Sequence, residues 1–272
     1  MATPTRPLVR YHGGKWRLAP WIIGHFPKHR VYCEPFGGGG SVLLRKPRAY
    51  AEIYNDLDGE MVNLFRVVRD QGDELLRQLS LTPYAREEFA EAYLPTDDPI
   101  ARDLRTLVKA YQGFGSNGIH RPTGFRANSN RSGTTPAHDW ANFPAAVPAL
   151  IERLQGVVIE NRDALDCMTA ADAPSTLHYV DPPYPKHTRT NAGDDYSFEY
   201  TDSQHEDLAK FLTGLSGMVV LSGYPTDLYR ELGWKQVQRE ARGDRASLRT
   251  ECLWLNPRAV SFAPQRSLED SA

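Results

Sequence analysis

Three cysteines in 272 residues, Cys33, Cys167 and Cys252, are too few and too widely spaced to frame a fold. None lies in a C-x-x-C pair, which argues against a disulfide scaffold or a structural zinc site, and none sits in a recognisable nucleophile setting. They are expected as small buried hydrophobes, with no metal and no covalent cysteine chemistry. No run of 18 apolar residues occurs, so no membrane-spanning helix is expected. The opening Met1-Ala2-Thr3-Pro4-Thr5-Arg6-Pro7 has no apolar signal core behind it. The expectation is a cytoplasmic protein with no membrane contact and no obligatory protein partner. A strong charge of one sign is missing too: the net charge is −2, so any grip on nucleic acid must rest on a local patch.

The chain does have 40% apolar residues, enough to fill one large α/β domain or one domain with an insertion. One stretch is biased in charge. From position 102 to 131 the basic residues Arg102, Arg105, Lys109, Arg121, Arg126 and Arg131 stand against Asp103 alone. Such a run is either a solvated face or a footprint for DNA phosphates.

Arg30-Val31-Tyr32-Cys33 reads as a short buried strand, followed by the loop Glu34-Pro35-Phe36-Gly37-Gly38-Gly39-Gly40-Ser41 and a helix starting at Val42. A second strand, Tyr50 to Tyr54, ends at Asn55-Asp56, and Met61, Leu64, Phe65 and Val68 then share one face of an amphipathic helix. This is the β-α-β-α opening of a doubly wound fold. Helices over Tyr84 to Leu94 and Pro99 to Tyr111, then an irregular segment from Gly113 to His138, break the alternation. Strands resume at Gly156 to Glu160, Leu177 to Val180 and Met218 to Ser222, with a helix from Ser203 to Leu212 and hairpin arms at Lys235 to Glu240 and Thr250 to Leu255. The expected layout is a discontinuous domain over 8–82 and 155–257, a mainly helical insertion over 83–154, and a loose tail over 258–272.

The apolar run Leu177-His178-Tyr179-Val180 leads directly into Asp181-Pro182-Pro183-Tyr184. A strand end of this kind is where open α/β sheets hold ligands. The Asp181 carboxylate and the Pro182 carbonyl can each accept a hydrogen from an exocyclic amine. Pro183 fixes the chain direction, and Tyr184 offers a stacking face, so the group suits a nucleobase. The plain alternative is a proline turn capped by an aspartate. The Gly-rich loop sits at a strand-to-helix turn, where a ligand can approach bare backbone. Asp56, 18 residues after Gly38, has the spacing at which an acidic group reaches ribose hydroxyls, but Leu43 breaks the G-x-G-x-x-G pattern. A nucleoside cofactor without pyrophosphate fits, and S-adenosylmethionine is one. Lys15, in Tyr11-His12-Gly13-Gly14-Lys15, can take its carboxylate.

With these motifs in order, the chain resembles the Dam-type DNA adenine methyltransferases over about Arg10 to Leu255: Gly13-Gly14-Lys15, Glu34 to Gly40, Asn55-Asp56 and Asp181 to Tyr184 all match. The resemblance implies a Rossmann-like methyltransferase fold, doubly wound and mostly parallel, with a C-terminal antiparallel hairpin and a target-recognition insertion. It implies site-specific methylation of adenine in double-stranded DNA, as in restriction-modification, in a bacterium or phage-infected cell. Tyr11, Lys15, Glu34, Phe36, Gly38, Gly40, Asp56, Asp163 and Asp181 would bind S-adenosylmethionine, with Asp163 on the adenine amine. Asp181, Pro182, Pro183 and Tyr184 would be catalytic on a flipped base. Tyr196 to Tyr200 resembles the segment after the catalytic loop, and Leu221 to Tyr224 a motif near the target pocket. Asn117-Gly118-Ile119-His120-Arg121 matches the start of the family's recognition stretch, but Asn128 to Trp140 does not continue it. Asn117, Arg121, Arg126 and Arg131, with Asn128, are the candidates for DNA contact. Methylation of the cytosine amine, an inactive DNA-binding regulator and protein glutamine methylation are the alternative readings. Glutamine-directed enzymes usually carry Asn where Asp181 stands.

Overall fold

In the computed structural model, which describes residues 3–115, 118–127, 133–188, 198–242 and 248–262, the first two expected strands form as β1 (Val31–Glu34) and β2 (Ala51–Asn55). They pair in parallel, with Cys33 opposite Ile53. The strands β3 (Val157–Glu160), β4 (Thr176–Val180) and β5 (Met218–Gly223) extend the parallel sheet. The hairpin of β6 (Lys235–Arg242) and β7 (Leu248–Leu255) closes one edge antiparallel, giving the order β3-β2-β1-β4-β5-β7-β6. Every residue of β4 and β5 is buried. Covered on both faces, these strands read as continuous apolar runs instead of alternating ones. The strand order reverses between β1 and β4, which puts the loops after these two strands side by side at the switch point.

The connecting helices are α1 (Ala19–Ile23), α2 (Ser41–Arg45), α3 (Gly59–Asp70) and α4 (Gly72–Leu81), and α3 buries Met61, Leu64, Phe65 and Val68 as its periodicity requires. The insertion holds α5 (Arg86–Glu91), α6 (Pro99–Gln112), α7 (Pro136–Ala141) and α8 (Val147–Leu154). Asp98 caps α6 by accepting from the Ala101 amide, with a proline in the first turn. The helix expected from Tyr84 is shorter, because Ala85 is extended and α5 starts after it. Beyond the insertion lie α9 (Ala164–Ala171), α10 (Asp202–Gly214), α11 (Asp227–Arg230) and α12 (Pro257–Ser261). This last helix corrects the loose tail expected from 258: Asn256 caps it, and Ala259 is fully buried. Residues 263–272 lie outside the described residues.

A buried ion cluster fixes the end of the insertion to the sheet. Glu52 of β2 accepts from Arg153 of α8 at 2.6 Å and from Lys46 at 2.6 Å, and Arg153 also donates to the Leu43 carbonyl at 2.5 Å. Burial pushes the Glu52 carboxyl up, but the two cations outweigh it and hold it below the usual range. Among the described residues no helix is long and apolar enough to cross a membrane.

Candidate active site

The loop after β1 turns sharply into α2, and Gly38 and Gly40 take φ of 47° and 59°, the left-handed region that glycine enters without strain. Packing makes the same demand: a Cβ on Gly40 would come 2.5 Å from Phe65 Cζ, and one on Gly37 would come 2.2 Å from Tyr54 Cε2. These two rings stack at 4.0 Å, so neither has room to retreat. The Gly38 amide donates to Asp56 Oδ2 at 2.6 Å, and the Asp58 amide donates to Oδ1 at 2.8 Å. Each oxygen keeps acceptor capacity, since a carboxylate offers about four lone-pair positions. Burial raises the Asp56 carboxyl to about 6, against the opposing pull of the two amides.

Glu34, at the end of β1, is more a fastener than a free acceptor. Its Oε2 takes the Tyr32 hydroxyl at 2.7 Å and the Leu43 amide at 3.0 Å, which ties strand to helix, and burial raises its carboxyl to about 8. Asp163 caps α9 through Oδ1, accepting from Leu165 at 2.8 Å, while its residue also lines the cleft. Capping therefore does not remove this residue from the cleft wall.

Lys15 reaches across to the strand ends. Its Nζ lies 3.0 Å from Asp181 Oδ2, 3.0 Å from the Gly13 carbonyl and 4.6 Å from the centroid of the Tyr184 ring. Asp181 Oδ1 is buried and has no hydrogen-bond partner among the described residues. One oxygen of the carboxylate is thus engaged and the other is left as an acceptor.

All nine residues expected at the cofactor line one cleft at the switch point, with about 880 Å³ of space open to solvent. Its place beyond the strand ends suits a small-molecule ligand. Pro182 and Pro183 line it as well, but Tyr184 does not. Instead of offering an open stacking face, Tyr184 is 6% exposed, with one face toward Lys15 and Tyr224 set edge-on at 4.6 Å. Its hydroxyl is bonded to Ser222 and Glu251, on strands distant in sequence. Tyr200, expected only as the end of the segment Tyr196 to Tyr200 and with no role of its own, meets Phe36 edge to face at 5.4 Å in the cleft wall.

The residues expected to contact DNA are only partly brought to this site. Arg121 belongs to a loop closed by an antiparallel bridge between Gly113 and Phe125, and Arg126 follows directly after that bridge, while Asn117, Asn128, Arg131, Tyr196 and Ser197 lie outside the described residues. The loop touches the cleft rim through His120, set edge-on to Tyr11 at 5.4 Å and 3.7 Å from Asp58. Three of the basic side chains of this stretch work inside the fold. Arg102 pairs with Glu60, Arg105 donates to the Leu94 and Pro95 carbonyls, and Lys109 lies over the Tyr93 ring. All three cysteines are buried, as expected.

A family model described as D12 class N6 adenine-specific DNA methyltransferase matches residues 11–239. The DNA adenine methylase of Escherichia coli is 28% identical over 243 residues, covering 85% of this chain and 84% of its own length. The type II methyltransferase M1.LlaDCHI of Lactococcus lactis subsp. cremoris is 27% identical over 250 residues, covering 84% of each. The type II methyltransferase M.MjaIII of Methanocaldococcus jannaschii is 24% identical over 253 residues, covering 84% and 87%.

Proposed function

Because this chain belongs to the D12 class N6 adenine-specific DNA methyltransferases, we propose that its cleft takes S-adenosylmethionine and that Asp181 and Pro182 hold the adenine amine for methyl transfer. The enzyme is an adenine-specific DNA methyltransferase, and the observation that carries this site assignment is the buried, unpartnered Oδ1 of Asp181 at the cleft.

The residues present fit the cofactor. Asp56 keeps acceptor positions for a ribose diol, Phe36 and Tyr200 give an aromatic wall for adenine, and the Lys15–Asp181 pair complements a zwitterionic amino-acid tail. S-adenosylmethionine supplies an electrophilic methyl group on a sulfonium. The adenine amine is a poor nucleophile because its lone pair is delocalised into the ring. Asp181 Oδ1 accepts one amine hydrogen and the Pro182 carbonyl the other, which favours a more tetrahedral nitrogen and aims its lone pair at the methyl carbon. When bound, S-adenosylmethionine would supply the methyl group with its sulfur as the leaving group, and the hydrogen held by Asp181 Oδ1 would be the proton that the methylated nitrogen gives up to that carboxylate. The base must leave the duplex to reach this position. It stacks on Tyr184 once Lys15 turns toward the cofactor carboxylate.

The direct test is incubation of the protein with methyl-labelled S-adenosylmethionine and duplex DNA, followed by nucleoside mass spectrometry. N6-methyladenine is the expected product; label on cytosine, or none, overturns the substrate assignment. Asp56 makes a second prediction. Its carboxyl titrates near 6, and hydroxyl donors favour the ionised form, so cofactor affinity rises as pH climbs through 6 and falls by about tenfold per unit well below it. Calorimetric titration between pH 5 and 8 checks this, and Asp56→Asn should flatten the profile.

A further inference from the structure

The hydroxyl of Tyr184 is held in a relay that no motif of the chain assigns. It lies 3.1 Å from Ser222 Oγ and 3.1 Å from Glu251 Oε2, and all three side chains are buried. A phenol has one hydrogen to give, and an ionised carboxylate can only accept. The arrangement that satisfies both contacts therefore runs from Ser222 to Tyr184 to Glu251. Glu251 reaches Tyr184 because β7 is laid antiparallel against β5, with Cys252 opposite Gly223 and Leu253 opposite Ser222. It falls outside the matched residues 11–239.

We propose that Glu251 is a positioning residue for methyl transfer, acting through the Tyr184 hydroxyl to fix the ring that ends the Asp181-Pro182-Pro183-Tyr184 turn. This rests on the assignment of that turn as the catalytic site. A ring held at its far end by two buried partners is restrained against tilting, and Lys15 and Tyr224 packed against it limit its rotation about the Cβ–Cγ axis. This anchors the end of the turn that carries Asp181 and Pro182, with the ring face kept against Lys15. The same bond brings a second carboxylate near the Lys15–Asp181 pair, since Lys15 and Asp181 both act electrostatically on Glu251, as Arg249 does from β7. Burial is the leading influence on Glu251 and raises its carboxyl, so it is a group that the fold carries at a cost. Gln retains a carbonyl acceptor in the same place, whereas Leu fills the volume and removes the acceptor.

The experiment compares Glu251→Leu, Glu251→Gln, Tyr184→Phe and the double variant Glu251→Leu/Tyr184→Phe, reading kcat, cofactor KM and melting temperature with labelled S-adenosylmethionine and duplex DNA. Glu251→Leu and Tyr184→Phe should each lower kcat by roughly tenfold to a hundredfold, the size expected from one buried hydrogen bond, with cofactor KM changed less than about threefold. The double variant should be no slower than the slower single, because both remove the same bond. Glu251→Gln should recover kcat to within about threefold of the parent. Losses that multiply in the double variant, a kcat that follows melting temperature alone, or a Gln variant as slow as Leu would each overturn the proposal. Asp181→Asn is run beside them. If that variant is active the catalytic-site assignment itself fails, whereas an inactive Asp181→Asn with a fully active Glu251→Leu removes only the role of Glu251.

Discussion

Asp181→Asn is expected to lower kcat by about a hundredfold to a thousandfold while leaving the fold intact. The size is that of removing one preorganised electrostatic partner from a reacting centre. The reason lies in the split use of the carboxylate, with Oδ2 on Lys15 at 3.0 Å and Oδ1 buried without a partner. An Asn side chain has one acceptor oxygen, so it can satisfy either the cation at Oδ2, which is Lys15 or the cofactor ammonium once Lys15 turns away, or the adenine amine, but not both. If the amide nitrogen faces the substrate, a donor meets a donor. Single-turnover transfer of labelled methyl at saturating cofactor measures the effect, and an unchanged melting temperature separates it from misfolding. A loss of less than tenfold would move the acceptor role elsewhere.

The largest effect on stability is expected at Glu52. Its carboxylate sits between Lys46 and Arg153, and the three residues are 3%, 4% and 6% exposed. Glu52→Ala leaves two cations buried without their counter-ion, a change that typically costs about 3–5 kcal/mol. In a chain of this length that corresponds to a melting temperature lower by roughly 6–20 °C, which calorimetry can resolve. Exchanging the whole cluster for apolar side chains of similar volume should be far milder, because no stranded charge remains. A Glu52→Ala protein that melts with the parent would mean the cations find water or new partners on their own.

The motifs with local causes were readable from the sequence. The Asp181 turn stood out because β4 is buried on both faces, so its apolar run ends abruptly at a polar group. The glycine loop stood out because Phe65 and Tyr54 crowd it and nothing larger fits. Partners distant along the chain were not readable. Tyr184 was expected to be open, but Ser222 and Glu251, 38 and 67 residues further on, draw its hydroxyl inward. Lys15 was expected as a cation waiting for a carboxylate from the cofactor, yet it already bridges to Asp181. The helix α4 is hard to separate from α3 in the sequence because only Gln71 lies between them, and Gly72, which would ordinarily mark a helix end, is the first residue of α4. The basic stretch looked uniform, but whether an arginine grips its own helix neighbours or faces outward depends on tertiary packing, which composition does not encode.

The contact between Arg153 and Glu52 also bears on how such enzymes can be re-specified. On the proposal that the stretch over 83–154 reads the target, a segment grafted from a relative by cutting at position 154 would carry α8 with it and leave the host Glu52 facing a foreign helix. Cutting before Val147 keeps that contact within the host, so the transplant exchanges the reading loop and leaves the foundation of the sheet in place.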